Sequence, residues 1–167
     1  MMEKFENPFL EFISSSYNWL VEWSSNCQSL LLLWMRLTWG HQFFLAGSGK
    51  LANIDQTVQF FSTLCTAYPY FCAHLVGYLE LIGGLLLMVG LASRLVTIPL
   101  IITMIVALTT AHSHILAHFR FLTHPSAFVN EGPYPYLITC LLVLVFGPGR
   151  FSLDAWIKRW AHKQKKY

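Results

Sequence analysis

Arg36 and Glu80 are each the lone charge in a long apolar run. Glu80 lies midway along residues 71–91 (FCAHLVGYLELIGGLLLMVGL), and Arg36 lies near the middle of residues 27–47 (CQSLLLLWMRLTWGHQFFLAG). About 20 apolar residues of helix cross a ~30 Å hydrocarbon layer, and a charge halfway along such a helix is costly unless paired or used. If the two helices are antiparallel neighbours, an acid and a base meet at one depth. The expectation is an Arg36–Glu80 ion pair, which reads equally as a structural pair fixing helix register and as a proton or ligand site. His41 follows Arg36 by five residues, Lys50 comes at or just past the outer end of that run, and His112 lies at the outer end of a third run. Arg36, His41, Lys50, Glu80 and His112 therefore form a candidate ligand-binding polar centre. Cationic groups outnumber the carboxylate, which suits an anion, a carbonyl oxygen or a quinone headgroup better than a metal cation. No residue is assigned a catalytic role.

Other reactive side chains carry less. His114 and His118 are four apart and could share a helical face, as metal ligands do, but no acidic or cysteine ligand accompanies them and no metal is expected. Cys65 and Cys72 bracket TAYPYF and are candidate redox thiols. A structural disulfide, free thiols and a catalytic pair all stay open, although the close CxxC spacing of thiol oxidoreductases is missing. Gly47-Ser48-Gly49-Lys50 imitates part of a phosphate-binding loop, but Phe44 and Leu51 stand where that motif needs a glycine and a Ser or Thr.

The elements that must position these residues are apolar helices. Of 167 residues, 55% are hydrophobic and 11% charged, against ~25% charged in soluble domains, so lipid is the expected solvent. The spans are expected near residues 27–47, 71–91, 95–115 and 134–147. Pro99 falls in the first turns of the third, where a missing amide hydrogen bond costs least. Pro135 suits the first turn of the shorter fourth, and Gly147-Pro148-Gly149 ends it. The fold class is all-α: an integral-membrane four-helix bundle forming one domain over residues 1–167, with amphipathic interfacial helices at both ends, near 8–23 and 152–163. In the second of these, Ser152 can cap a helix whose Trp156, Ile157 and Trp160 face lipid while Lys158, Arg159 and Lys163 face water.

Glycines suggest how the spans meet. Gly77 and Gly84 flank Glu80 on one helical face, and Gly40 and Gly47 lie seven apart on the first span. Small residues of this kind let helix backbones approach closely. Lys4, Arg94, Arg150, Lys158, Arg159, Lys163, Lys165 and Lys166 collect on the side of the termini, against Lys50 and Arg120 opposite. Both termini are accordingly expected to be cytoplasmic. The loops near 48–70 and 116–133 face outward, where their aromatic residues would fold over the bundle, with Val58, Phe61 and Leu64 at helical spacing. Glu3, Glu6, Glu11 and Glu22 argue against a cleavable signal. The net charge of +3, gathered at the C-terminus, is too small for a nucleic-acid partner; the bilayer is the expected one.

Several short strings together resemble the DoxX family of small bacterial membrane proteins. They are Arg36-Leu37-x-x-Gly40, Gly47-x-x-Lys50-Leu51, Glu80-x-x-Gly83-Gly84, Gly90-Leu91-x-x-Arg94, Met104-x-x-Ala107 and Gly147-Pro148-Gly149-Arg150-x-Ser152-Leu153-Asp154. The resemblance runs over roughly residues 30–157 in the right order. It implies a four-helix bundle in the bacterial inner membrane and an association with redox chemistry, since such proteins include the DoxD-type subunit of thiosulfate:quinone oxidoreductase and others linked to thiol and oxidative stress. Arg36, Lys50, Glu80 and Arg94 match its polar positions. The histidines and Cys65/Cys72 do not belong to that pattern.

The resulting expectation is a redox-associated membrane subunit, itself catalytic or accessory, binding a quinone or similar small hydrophobic or anionic ligand at the polar centre. No cofactor motif is evident, so electrons would come from a redox partner protein. The competing readings are a small carrier or channel for a weak acid or anion, and a non-enzymatic membrane anchor or assembly factor.

Overall fold

The computed structural model describes residues 8–64, 67–111, 129 and 131–164. Its described elements are all helices: α1 (Pro8–Ala52), α2 (Ile54–Thr63), α3 (Pro69–Val89), α4 (Ser93–Thr110), α5 (Pro133–Phe146) and α6 (Leu153–Gln164). Two of them, α3 and α4, are long and apolar enough to cross a membrane, and α5 is a shorter apolar helix. At 1.5 Å per residue the 14 residues of α5 rise only about 21 Å.

One boundary differs from the sequence expectation. The anticipated interfacial helix near 8–23 and the first span are a single 45-residue helix. The residues between them, Ser24-Ser25-Asn26, include no Gly or Pro to break the chain. The Ser25 hydroxyl instead turns back to donate to the Glu22 carbonyl at 2.8 Å, inside the helix.

Polar side chains are buried beside the apolar core while large apolar side chains face outward. Arg36, Glu80, Ser93, Thr97 and Thr139 are buried, while Leu85, Ile98, Ile102, Ile105 and Val106 stand about half exposed. Apolar residues facing outward need an apolar solvent, and buried polar residues need partners inside. The buried apolar cluster joins Phe43 of α1, Leu87 of α3, Val96, Leu100 and Met104 of α4, and Cys140 and Val143 of α5.

Glycines set the register of α1 against the antiparallel α3. A Cβ at Gly47 would lie 2.3 Å from the Leu81 backbone nitrogen, and one at Gly84 would lie 2.6 Å from the Gly40 carbonyl oxygen. The helices touch backbone to backbone, with residue 40 beside 84 and residue 47 beside 77 and 81. That register puts Arg36 level with the end of α3 and Glu80 level with the last turns of α1.

Candidate functional site

The register separates the two charges that the sequence placed together. Arg36 and Glu80 do not pair. Gly90, the level occupied by Arg36, lies ten positions on from Glu80, a rise of about 15 Å. Each charge has its own partners.

At its end of the bundle Arg36 is fully buried. Its Nη1 donates to the Pro148 carbonyl and its Nη2 to the Phe151 carbonyl, each at 2.7 Å. Both acceptors lie in the stretch between α5 and α6, so the planar guanidinium fork ties the C-terminal segment to α1. Asp154 acts on the same guanidinium electrostatically. Its carboxylate also accepts from the backbone nitrogens of Ala92 and Ser93 at 2.8 and 3.0 Å, and its own backbone nitrogen donates to the Gly90 carbonyl at 3.1 Å. The Arg94 Nη2 donates to the Val145 carbonyl at 3.3 Å. As expected from sequence, Ser152 caps α6: its hydroxyl accepts from the Ala155 nitrogen at 3.1 Å. Arg36, Gly90, Arg94, Ser152 and Asp154 thus build one interlocked corner whose polar groups are largely spent on one another.

Glu80 belongs elsewhere. Its carboxylate is ion-paired and hydrogen-bonded to the Lys50 ammonium, which reaches back from the last turn of α1. The Glu80 side chain is 4% exposed and the Lys50 side chain 31%. The pair forms part of the wall of a cavity of about 540 Å³ lined by α1, α2, α3, α4 and the start of α5. Most of the lining is apolar, from residues such as Phe61, Leu79, Ile102 and Met104. Its polar contributions besides the pair include Cys72, Thr103, Thr110 and Tyr136.

Tyr136 was not anticipated. Its ring packs edge-on against Trp39 and Phe43, with centroids 5.1 and 4.7 Å away, so its direction is set by aromatic packing. It is close enough to Glu80 for the carboxylate charge to act on it. It lay in an apolar stretch, YPYLITC, with nothing in its spacing to single it out. The Lys50–Glu80 pairing did have a signal. Gly40/Gly47 and Gly77/Gly84 have equal spacing, and aligning them antiparallel puts residue 36 near 88 and residue 44 near 80, so Glu80 falls nearer the level of Lys50 than that of Arg36.

The remaining candidates are dispersed. His41 is exposed on α1 and does not join Glu80. Cys72 is a free thiol in the cavity wall. Cys65, His112, His114 and His118 lie outside the described residues.

The DoxX family profile matches residues 31–113, which carry both Arg36 and the Lys50–Glu80 pair. "Putative oxidoreductase CatD" of Bacillus subtilis (strain 168) is 30% identical over 125 residues, covering 75% of this chain and 85% of that protein. The chain belongs to the DoxX family. No solved structure matches it. DoxX proteins are membrane-associated, and in this DoxX protein the family's polar positions split between two places: Arg36 and Arg94 in the interlocked corner, Lys50 and Glu80 at the cavity.

Proposed function

We propose that this DoxX protein is a four-helix integral protein of the bacterial inner membrane that holds a quinone, or a similar small apolar carrier with a carbonyl or anionic oxygen, for a redox system. The spans are the C-terminal part of α1 together with α3, α4 and α5. Helix α6 lies at the cytoplasmic surface and both termini are cytoplasmic, as the excess of Lys and Arg beside α6 favours. The redox association follows family membership and the oxidoreductase name carried by CatD.

One observation carries the ligand reading: a half-buried ion pair in the wall of a mostly apolar cavity of about 540 Å³. Such a cavity takes an apolar ring, and a few placed polar groups fix its orientation. The Lys50 ammonium would donate to a ligand oxygen, Glu80 would hold or supply its proton, and the Tyr136 hydroxyl offers a further donor. A bound quinone supplies the two-electron chemistry. The chain itself binds, orients and handles protons, and the electrons come from a partner protein.

The test is the lipid extract of protein solubilised in mild detergent, combined with titration of a short-chain quinone followed by intrinsic fluorescence. Near-stoichiometric quinone in the extract, saturable quenching, and loss of both in Lys50→Met are expected. An extract without quinone, together with unsaturable quenching, sinks the proposal. Topology is tested separately with phosphatase fusions, expected to be inactive after Tyr167 and active within residues 53–64.

A further inference from the structure

Lys50 faces two spaces at once. Behind the cavity wall, in the corner between α1 and α2, lies a second recess of about 460 Å³. Its lining is mixed and more polar than that of the first, with Asn53, Gln56 and Thr57 around Lys50. Ala46, Lys50, Phe60 and Phe61 line both spaces and so form the partition between them. The Phe60 and Phe61 rings stand edge to face, 6.1 Å apart at 90°, closing the apolar part of that partition. The Thr57 hydroxyl donates to the Lys50 carbonyl at 3.1 Å and keeps α2 against the lysine. Lys50 is the one polar side chain common to both linings.

We infer that this recess is the proton entrance of the site, with Lys50 as the relay between water in the corner and Glu80 in the cavity wall. The inference rests on the reading of the cavity as a carrier site that exchanges protons. The ammonium hands the proton of the hydrogen bond to Glu80: an N–H bond breaks, an O–H bond forms, and a neutral amine faces a neutral acid. The amine then takes a proton from water in the recess and is an ammonium again, the hydroxide left behind being neutralised by a proton from the bulk, while Glu80 keeps its proton for a ligand oxygen. Lys50 suits this because it is 31% exposed where its partner is 4% exposed. The titratable groups facing the pair from neighbouring elements are Cys72 of α3 and Tyr136 of α5, and α2 and α4 contribute none to either lining among the described residues. Lys50 is thus the polar link between the recess and Glu80 among the described residues.

The experiment records the infrared band of protonated Glu80, assigned by its loss in Glu80→Gln. The protein is reconstituted in one orientation in vesicles without any carrier, and pH is stepped on one face at a time. Glu80 is expected to follow steps on the α2 face only. Lys50→Met should slow the response roughly a hundredfold or more, the scale on which a positioned proton-transfer group acts. Gln56→Trp, an exposed position whose new ring fills the recess, should slow it without disturbing the pair, and remains informative if Lys50→Met does not fold. A Gln56→Trp rate equal to wild type, or a response to the opposite face, overturns the relay. Quinone titration of the same samples reports on the carrier reading independently, since the protonation readout uses no ligand.

Discussion

The Arg36 guanidinium occupies the place where Gly90 would carry a side chain. A Cβ on Gly90 would lie 2.3 Å from Nη1 and 2.7 Å from the Ser152 Cβ, and the backbone there has a φ of +77°. The end of α3, the buried arginine and the cap of α6 thus share one small volume.

Gly90→Ala should therefore be among the most damaging single-methyl additions in the chain. The left-handed backbone alone costs a non-glycine residue about 1–2 kcal/mol, and the methyl must also push the guanidinium off its two carbonyls. Thermal unfolding in detergent should show a loss above that backbone figure. A midpoint unchanged from wild type would mean the corner is loosely packed.

Asp154→Ala removes two charge-assisted acceptors from the turn at Ala92 and Ser93, and should cost about 1.5–3 kcal/mol. Asp154→Asn keeps one good acceptor oxygen and should lose less. Equal losses from the two would point to the charge beside Arg36, and not to the turn, as what matters.

Gly47 and Gly49 lie two residues apart on α1 and should respond with opposite signs to the same substitution. Gly47→Ala drives a methyl into the Leu81 backbone, whereas a methyl at Gly49 meets nothing within 4 Å. Gly49→Ala should stabilise the helix by up to about 1 kcal/mol, while Gly47→Ala should separate α1 from α3 and lower the unfolding temperature. If both behave alike, the helix contact is wrong.

Lys50 and Glu80 should be coupled in a double-mutant cycle. Leaving a buried charge unpaired costs ~3–5 kcal/mol, with Glu80→Gln at the low end because the lysine it strands is 31% exposed. Adding Glu80→Gln to Lys50→Met should recover part of that loss. Arg36→Gln and Glu80→Gln should instead add to within about 0.5 kcal/mol, as separated sites do. Coupling in the second cycle and none in the first would reverse the assignment of partners.

Much of this was legible in the residues. The apolar runs mark α3 and α4, Gly147 ends α5 where expected, Ser152 caps α6, and the spacing of Val58, Phe61 and Leu64 marks α2. Pairing was harder, because a charge in the middle of a run says that it needs a partner without saying which. Lys50 counted as a loop residue because hydropathy falls off near Gly47, yet the helix continues to Ala52 and its long side chain reaches back over a turn. Arg36 drew its partners from backbone carbonyls, which every residue has and no sequence pattern marks.

Those carbonyls also bear on the order in which the chain can be assembled. Pro148 lies 112 residues after Arg36 and Phe151 lies 115 after it. At ~5–20 residues per second of synthesis, the first helix waits on the order of ten seconds before its guanidinium can be satisfied. Throughout that interval the nascent helix carries a donor fork with nothing of its own to grip. Only a chain grown past residue 151 can close the corner. A product cut short after α5 would keep its apolar helices and leave the Arg36 guanidinium without these two acceptors.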